Sequence, residues 1–284
     1  MRQLLDGKPI DELAIERIMA FEAQAVEKHP SGYWLAFSGG KDSIVILDLA
    51  KRAGVRYEAH YSITTVDPPE LVWFVKTFPE VTRDKPAMSM WDWIRRKRMP
   101  PRRTARFCCE KLKESGGPGR IIITGIRWAE STRRSKRGLF EACYRDKSRK
   151  FLNPIIEWSD SDVWEYIRSR GLRYCSLYDE GWKRIGCVLC PMVEDIQRHL
   201  ARWPKLCAQW ERVVKSTWRG KDARFVFQTP EEYWQWWLDR TAPAIDTDPV
   251  LFDDDGGEPF STEPPQPTGL VAGNPSGQSS SPAK

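Results

Sequence analysis

Apolar residues along the first 240 positions alternate between two rhythms. Asp11 to Glu27 (DELAIERIMAFEAQAVE) carries them at helical spacing, which predicts a helix. Tyr33 to Phe37 is a short apolar, aromatic run that reads as a strand and ends at Ser38-Gly39-Gly40. Ile44 to Arg52 returns to the helical rhythm and closes at Gly54. Tyr57 to Thr65 is strand-like, and Pro69 to Phe78 is helical with Pro79 just beyond it. Ile121 to Thr124 is a buried strand ending at Gly125. Ser159 to Ser169 opens on Ser and Asp caps and predicts a helix. Gln197 to Lys215 and Pro230 to Arg240 predict two more. Strands alternating with helices imply an α/β fold, a doubly wound and mostly parallel sheet with helices on both faces. A helical C-terminal region follows it.

The last stretch, 241–284, loses this rhythm. It is rich in Pro, Gly, Ser and Asp, and too poor in apolar residues to offset its ordering entropy, so disorder is expected. Three parts result: a nucleotide-binding domain over 1–195, a helical extension over 196–240 packed on it, and an acidic tail.

Charge divides along the same boundary. The chain's formal net charge is +6, but the tail carries seven acidic residues and one basic residue. The remaining 240 positions hold 44 basic and 32 acidic residues, a net of +12. A body this basic suits polyphosphates or nucleic acid. No apolar run reaches the roughly 18 residues that cross a bilayer, so no membrane partner is expected. The N-terminus has acids where an export signal needs an apolar core, which points to the cytoplasm. Fourteen tryptophans imply a large aromatic core, with some rings free to stack.

The sharpest local signal is Ser38-Gly39-Gly40-Lys41-Asp42-Ser43, set between a predicted strand and a predicted helix. Two glycines let the backbone turn and bring its N–H groups to an anion. The helix behind them points its positive end at the same place. Lys41 adds a charge, and Ser38 and Ser43 add hydroxyls. This is a phosphate site, without the spacing of a Walker A loop.

The chain has seven cysteines, an odd number that argues against a disulfide framework. Cys187 and Cys190 form C-x-x-C, a turn that aims two thiolates at one centre, as in zinc and iron–sulfur sites. Cys108 and Cys109 are adjacent, and adjacent side chains ordinarily diverge. Cys175 lies twelve residues before Cys187. Ile94 to Arg106 (IRRKRMPPRRTAR) holds seven basic residues and no acid, and Pro100-Pro101 predicts an exposed loop there. Arg133, Arg134, Lys136, Arg137, Arg145, Lys147, Arg149 and Lys150 form a second basic region. Trp91, Trp93 and Trp128 flank these stretches, a combination that fits a nucleic-acid partner.

Ser38 to Ser43 resembles the PP-loop of the adenine nucleotide α-hydrolase superfamily, and the chain resembles its phosphoadenosine phosphosulfate (PAPS) reductase family. Val66-Asp67-Pro68-Pro69-Glu70 matches the turn after the second strand. Ile123 to Arg127 with Glu130-Ser131 and Arg133-Arg134 matches the second nucleotide motif. Asn153 to Trp158 with Asp160 to Ile167, then Leu177 to Gly181 and Gly186 to Pro191, complete the series. The resemblance implies that Ser38, Gly39, Gly40, Lys41, Asp42 and Ser43 hold nucleotide phosphates, and that Asp67 lies near sugar or metal. Gly125 and Arg127 would line the adenylate, with Arg133 or Arg134 on phosphate or sulfate. Lys41, Asp42 and Arg127 are the expected catalytic groups. In the iron–sulfur members a Cys-Cys pair and a later C-x-x-C hold a [4Fe–4S] cluster. The resemblance therefore implies four ligands from Cys108, Cys109, Cys175, Cys187 and Cys190, with zinc as the alternative. Cys143 and Cys207 stay unassigned.

The chain departs from the reductases in one respect. Their nucleophilic cysteine sits in a C-terminal Glu-Cys-Gly-x-His motif, and here no cysteine follows Cys207. The expectation is therefore an ATP pyrophosphatase using Mg²⁺ with ATP, acting in sulfur activation or transfer, with nucleic acid as a candidate acceptor and a sulfur donor protein or thiol reductant as partner. The alternatives are a sulfonucleotide reductase that releases sulfite from APS or PAPS, and a non-catalytic nucleic-acid or partner-binding module.

Overall fold

The computed structural model describes residues 2–3, 7–143, 146–220 and 227–239. The tail expected over 241–284, and Arg145 of the second basic region, lie outside them. The described residues fall in one unit that ends at Asp248.

Six strands form one sheet: β1 (Tyr33–Ala36), β2 (Tyr57–Ser62), β3 (Val81–Asp84), β4 (Ile121–Ile123), β5 (Phe140–Ala142) and β6 (Lys150–Leu152). Their order across the sheet is β3-β2-β1-β4-β6-β5. All neighbours run parallel except β5, which pairs antiparallel with β6 at one edge. Leu35 pairs with Ala59 on one side and Ile123 on the other, so β1 is central. The chain leaves β1 in one direction through β2 and β3, then returns to β1's other side with β4. The order thus reverses between β1 and β4, and the crevice above their carboxyl ends is where open α/β sheets bind ligands.

Ten α-helices cover the sheet and extend beyond it, among the described residues. They are α1 (Ile10–Ala20), α2 (Glu22–Lys28), α3 (Lys41–Ala53), α4 (Pro69–Lys76), α5 (Met90–Lys97), α6 (Phe107–Leu112), α7 (Asp160–Ser169), α8 (Ile196–Arg202), α9 (Pro204–Lys215) and α10 (Pro230–Asp239). Two segments expected as single helices are broken. The first breaks at Phe21, whose ring stacks on Phe140 of β5 at 4.2 Å. The second breaks at Trp203, ahead of Pro204, whose ring suits the first turn of a new helix.

Two apolar cores result. One lies between the sheet and α1, α3 and α7, built on Tyr33, Leu35, Ile46, Ile123 and Trp158. The other joins α5, α9 and α10 to the cysteine-bearing segments. It contains Cys108, Cys175, Cys187, Trp203, Cys207, Trp210 and Trp237. Trp210 and Trp237 stack at 4.9 Å. Five buried tryptophans in this second core account for much of the chain's aromatic content.

The basic segment after α5 departs from its expectation. Met99, Pro100 and Pro101 are buried, and Trp237 Nε1 donates to the Pro101 carbonyl at 2.8 Å. Arg103 Nε donates to the Pro191 carbonyl at 3.1 Å. Two prolines do end α5, but their apolar rings then pack under α10 instead of forming an exposed loop.

Candidate functional site

The phosphate loop leaves β1 at its carboxyl end. Gly39 turns the chain with φ +72°, and a Cβ there would stand 2.6 Å from Leu71 Cδ1 and 2.9 Å from Val75 Cγ2. Backbone hand and close approach to α4 therefore both require glycine. The helix α3 starts with no side-chain cap of its own. Its first N–H groups find partners elsewhere. Gly40 N–H donates to Ser38 Oγ at 3.3 Å, and Lys41 N–H donates to the Tyr178 hydroxyl at 2.9 Å. Ser43 Oγ donates to the Gly40 carbonyl at 2.8 Å, closing the loop on itself.

Charge converges directly behind the loop. Lys41 is buried, and its ammonium stands 3.4 Å from Asp42 Oδ2 and 3.4 Å from Asp160 Oδ1. Arg127 is also buried and bonds three elements at once. Its Nε reaches Asp42 Oδ1 at 2.7 Å, one terminal nitrogen Asp160 Oδ1 at 2.6 Å, and the other the Trp158 carbonyl at 3.0 Å. Burial works to raise the Asp160 carboxyl, but the Arg127 bond and the Lys41 charge hold it below the usual carboxylate range. Gly125 lets the strand β4 loop approach, since a Cβ there would lie 2.9 Å from Asp42 Cβ. The three residues expected to be catalytic thus meet in one network, and Arg127 faces inward as its clamp. Asp160 joins them. Its position after Ser159 reads in sequence as a helix cap, and Ser159 indeed caps α7 in a box with Asp162.

Arg134 is paired with Glu130, while Arg133 is exposed and makes no ion pair among the described residues. Both precede β5, whose Phe140 aligns with Leu152 of β6 at the carboxyl end of the parallel strands. They therefore stand at the same end as the phosphate loop.

The thiols gather one loop away. The Cys187 thiol donates to Thr64 Oγ1 at 3.5 Å and lies 3.8 Å from Asp67 Oδ1. Asp67 Oδ2 accepts the Thr64 N–H at 3.0 Å, and Val188 N–H donates to the Val66 carbonyl at 2.8 Å. The C-x-x-C turn is thereby tied to the loop between β2 and α4, and α4 is the helix on which Gly39 rests. Cys108 and Cys109 do not diverge as adjacent side chains usually do. Their thiols hydrogen-bond to each other, and Cys108 feels the charges of Cys190 and Cys187. The bond from Cys108, helped by Lys113 and Arg106, draws the Cys109 thiol down to about 6. Burial pushes Cys187 up to about 11. The Lys113 ammonium is held above its ordinary value by Cys187 first, then by Asp67 and Cys109.

Two further cysteines have other neighbours. Burial raises Cys175, and its charged neighbours are Glu70, Glu180 and Asp179. Cys143 follows β5, whose Ala142 pairs with Lys150, level with Ile121, at the amino end of the parallel strands. That is the end opposite the phosphate loop. Among the described residues, no three His, Cys, Asp or Glu side chains are arranged to hold a metal ion.

The family model of the phosphoadenosine phosphosulfate reductase domain matches residues 32–193. The chain belongs to that family. Its matched span contains the phosphate loop, Arg127, Asp160, Tyr178 and the C-x-x-C turn. Two uncharacterized proteins of Methanocaldococcus jannaschii are 29% and 30% identical over 69% and 71% of this chain. The chain spans only 44% and 51% of their length. A phosphoadenosine 5'-phosphosulfate reductase of Gloeobacter violaceus is 28% identical over 68% of this chain and 85% of its own. Among solved structures, the phosphoadenylyl-sulfate reductase of Candida auris is similar with a TM-score of 0.44 and 19% identity, over 66% of this chain and 97% of that one. The fold expected for the family, a mostly parallel sheet with helices on its faces, is the one present. No helix among the described residues is long and apolar enough to cross a membrane.

Proposed function

We propose that this chain is an ATP pyrophosphatase-type member of the PAPS reductase family that works in sulfur transfer. An acceptor oxygen would attack the α-phosphorus of ATP, the bond to the β-phosphate would break, and pyrophosphate would leave. A sulfur nucleophile would then displace AMP from the activated position. The observation that carries this reading is the shared loop. Thr64 to Asp67 touches the Cys187 thiol on one side and leads on the other into α4, which supports Gly39.

The residues behind the loop suit the charge that builds on departing pyrophosphate. Lys41 supplies a cation already in place, and Arg127 fixes Asp42 and Asp160 around it, so no reorganisation is needed at the moment of reaction. Mg²⁺ would accompany ATP and share that charge.

Cys108, Cys109, Cys187 and Cys190 are the donor set for a [4Fe–4S] cluster in this reading. A single zinc ion needs its ligands to converge on one point, whereas a cubane takes each thiolate on a different iron. Cys108 feels the charges of the other three thiols, and the resemblance to the iron–sulfur members favours the cluster. When bound, it would supply a site for holding sulfur or passing electrons. Lys113 and Arg106 offset the negative charge of the thiolates.

Nucleic acid is the acceptor class favoured here. Trp93 of α5 lies between the cations of Arg96 and Lys111, each 5.5 Å from its ring centre. Lys97, Arg98 and Arg106 extend the basic strip toward Cys109 without acidic partners among the described residues. A base stacked on Trp93 with its backbone along this strip would run to the thiols.

A sulfonucleotide reductase is the second reading, favoured by the names of relatives such as the Gloeobacter violaceus protein. It needs an attacking thiolate. Burial pushes Cys207 up to about 11, and its thiol donates to the His199 carbonyl at 3.4 Å. Anaerobic purification with iron and sulfide analysis, followed by ATP turnover with an oligonucleotide acceptor, tests the first reading. Pyrophosphate release that disappears in Lys41→Ala is expected. Sulfite release from APS or PAPS with a thiol donor, and no pyrophosphate from ATP, would replace it with the second.

A further inference from the structure

Tyr178 occupies a position that the reaction outlined above leaves unused. It ends a 3-10 turn, Ser176–Tyr178, in the segment that joins α7 to the C-x-x-C turn. Its hydroxyl oxygen accepts the Lys41 N–H at 2.9 Å, at the first residue of α3. A Cβ on Gly40 would stand 3.4 Å from the same oxygen. The phenol therefore reaches the anion-facing end of the helix from a different part of the chain.

The ring is held firmly. Trp164 and Tyr174 meet it edge-on, with centroids 5.1 and 6.3 Å away. The turn is closed by Tyr178 N–H on the Cys175 carbonyl at 3.1 Å and Gly181 N–H on the Tyr178 carbonyl at 3.0 Å. Burial raises the phenol above its ordinary range, against the Lys41 N–H, which works the other way. It remains a neutral O–H donor at any physiological pH.

A phenol oxygen that accepts one N–H keeps its own proton for donation. Among the described residues that proton has no acceptor. The nearby carboxylates are engaged elsewhere, Asp42 and Asp160 by Arg127 and Lys41. What the proton would meet is an oxyanion seated on the loop. We propose that Tyr178 is a positioning residue of the phosphate subsite, donating its O–H to a phosphoryl oxygen of the bound nucleotide while its oxygen stays on the Lys41 N–H. The subsite would then be built from both sides of the crevice: loop backbone and Lys41 from one, Tyr178 from the other.

This assignment rests on the phosphate-binding reading of the loop, and the experiment separates the two. The full chain is titrated calorimetrically with pyrophosphate, ATP and adenosine, as wild type and as Tyr178→Phe. Phenylalanine keeps the contacts with Trp164 and Tyr174 and removes only the hydroxyl. A hydrogen bond to a charged group is worth enough that affinity for pyrophosphate and for ATP should fall by the same factor, about tenfold or more. Affinity for adenosine should not move. Equal pyrophosphate affinity in the two proteins would overturn the assignment. A wild type that binds neither pyrophosphate nor ATP would overturn the loop reading itself, and that is read without the variant. A second measurement does not depend on the variant's fold. With 3,5-difluorotyrosine at position 178, which ionises nearer neutrality, pyrophosphate affinity should weaken as pH rises through that ionisation. A flat profile, with ionisation seen spectroscopically, would count against donation by Tyr178.

Discussion

Arg127 Nε stands 2.7 Å from Asp42 Oδ1, joining the loop after β4 to the helix that follows β1. The same guanidinium reaches Asp160 at the start of α7. One buried side chain thus sets the spacing of three elements around the phosphate crevice. Replacing it leaves Asp42 without its strongest partner. Breaking a buried pair costs about 3–5 kcal/mol, less here because Asp160 is largely exposed, so Arg127→Met should lower unfolding free energy by roughly 2–3 kcal/mol in urea titrations. Arg127→Lys cannot span three acceptors and should recover only part of that loss.

Asp160 gives a pH signature. Its folded carboxyl lies below the usual range, so its stabilisation is present above the unfolded value, about 3.9, and is lost as pH falls through the lower folded value. Asp160→Asn should therefore be less stable than wild type at neutral pH. The two should converge in acid as pH falls through that lower folded value, as read from denaturation midpoints across pH.

Three glycines separate strain from position. Gly54 has φ +67° with nothing near its Cβ site, so Gly54→Ala should cost about 1 kcal/mol and leave nucleotide binding intact. Gly39→Ala adds contacts at 2.6 and 2.9 Å to a similar backbone penalty, and should lose stability and phosphate affinity together. Gly125→Ala has ordinary backbone angles but meets Asp42 backbone atoms at 3.0 Å. It should weaken nucleotide binding more than it destabilises the fold, as judged by calorimetry and thermal melting on one sample.

Thiol reactivity should follow the same geometry. In reduced, cofactor-free protein, Cys109 at about 6 should alkylate first with iodoacetamide at pH 7, because the thiolate is the nucleophile. Cys187 and Cys207, each at about 11, should react only in strong alkali. Lys113→Met removes a charge that lowers both Cys109 and Cys187, so their alkylation profiles should move to higher pH, read by peptide mass spectrometry. An unchanged Cys109 profile would refute the placement of the Lys113 ammonium.

The buried carbonyl of Pro101 supplies a further test. Trp237→Phe removes its hydrogen bond and should cost about 1 kcal/mol. Limited trypsin digestion should then cut at Arg102 or Arg103 faster than in wild type.

Much of the phosphate crevice is legible from sequence because it is built from local signals. A short apolar run, two glycines and an amphipathic segment closed by Gly54 specify β1, the loop and α3. What escapes is set by distant partners. The strand β3 (VTRD) buries only Val81 at a sheet edge, so it carries no apolar run. The strands β5 and β6 are three residues each, too short for a rhythm. Phe21 and Trp203 break helices through packing and a following proline, which periodicity does not register. Tyr178 meets Lys41 and Lys113 meets Cys187 across more than 70 positions of chain, and no local pattern marks either contact. The Ser89-x-x-Asp92 box that starts α5 is, by contrast, a local signal.

The second core also bears on how the chain is divided. Helices α8 to α10 lie outside the matched span of residues 32–193, yet their tryptophans close over Val188, Leu189 and the buried cysteines. Leu189 N–H donates to His199 Nδ1 at 3.2 Å, so the C-x-x-C turn is braced from α8. A chain cut back to the family boundary would open the thiol centre to water along one whole side. The span that matches the family is thus the smaller unit on paper and the less complete one in space: the cover over the buried cysteines comes in part from residues that no nucleotide motif contains.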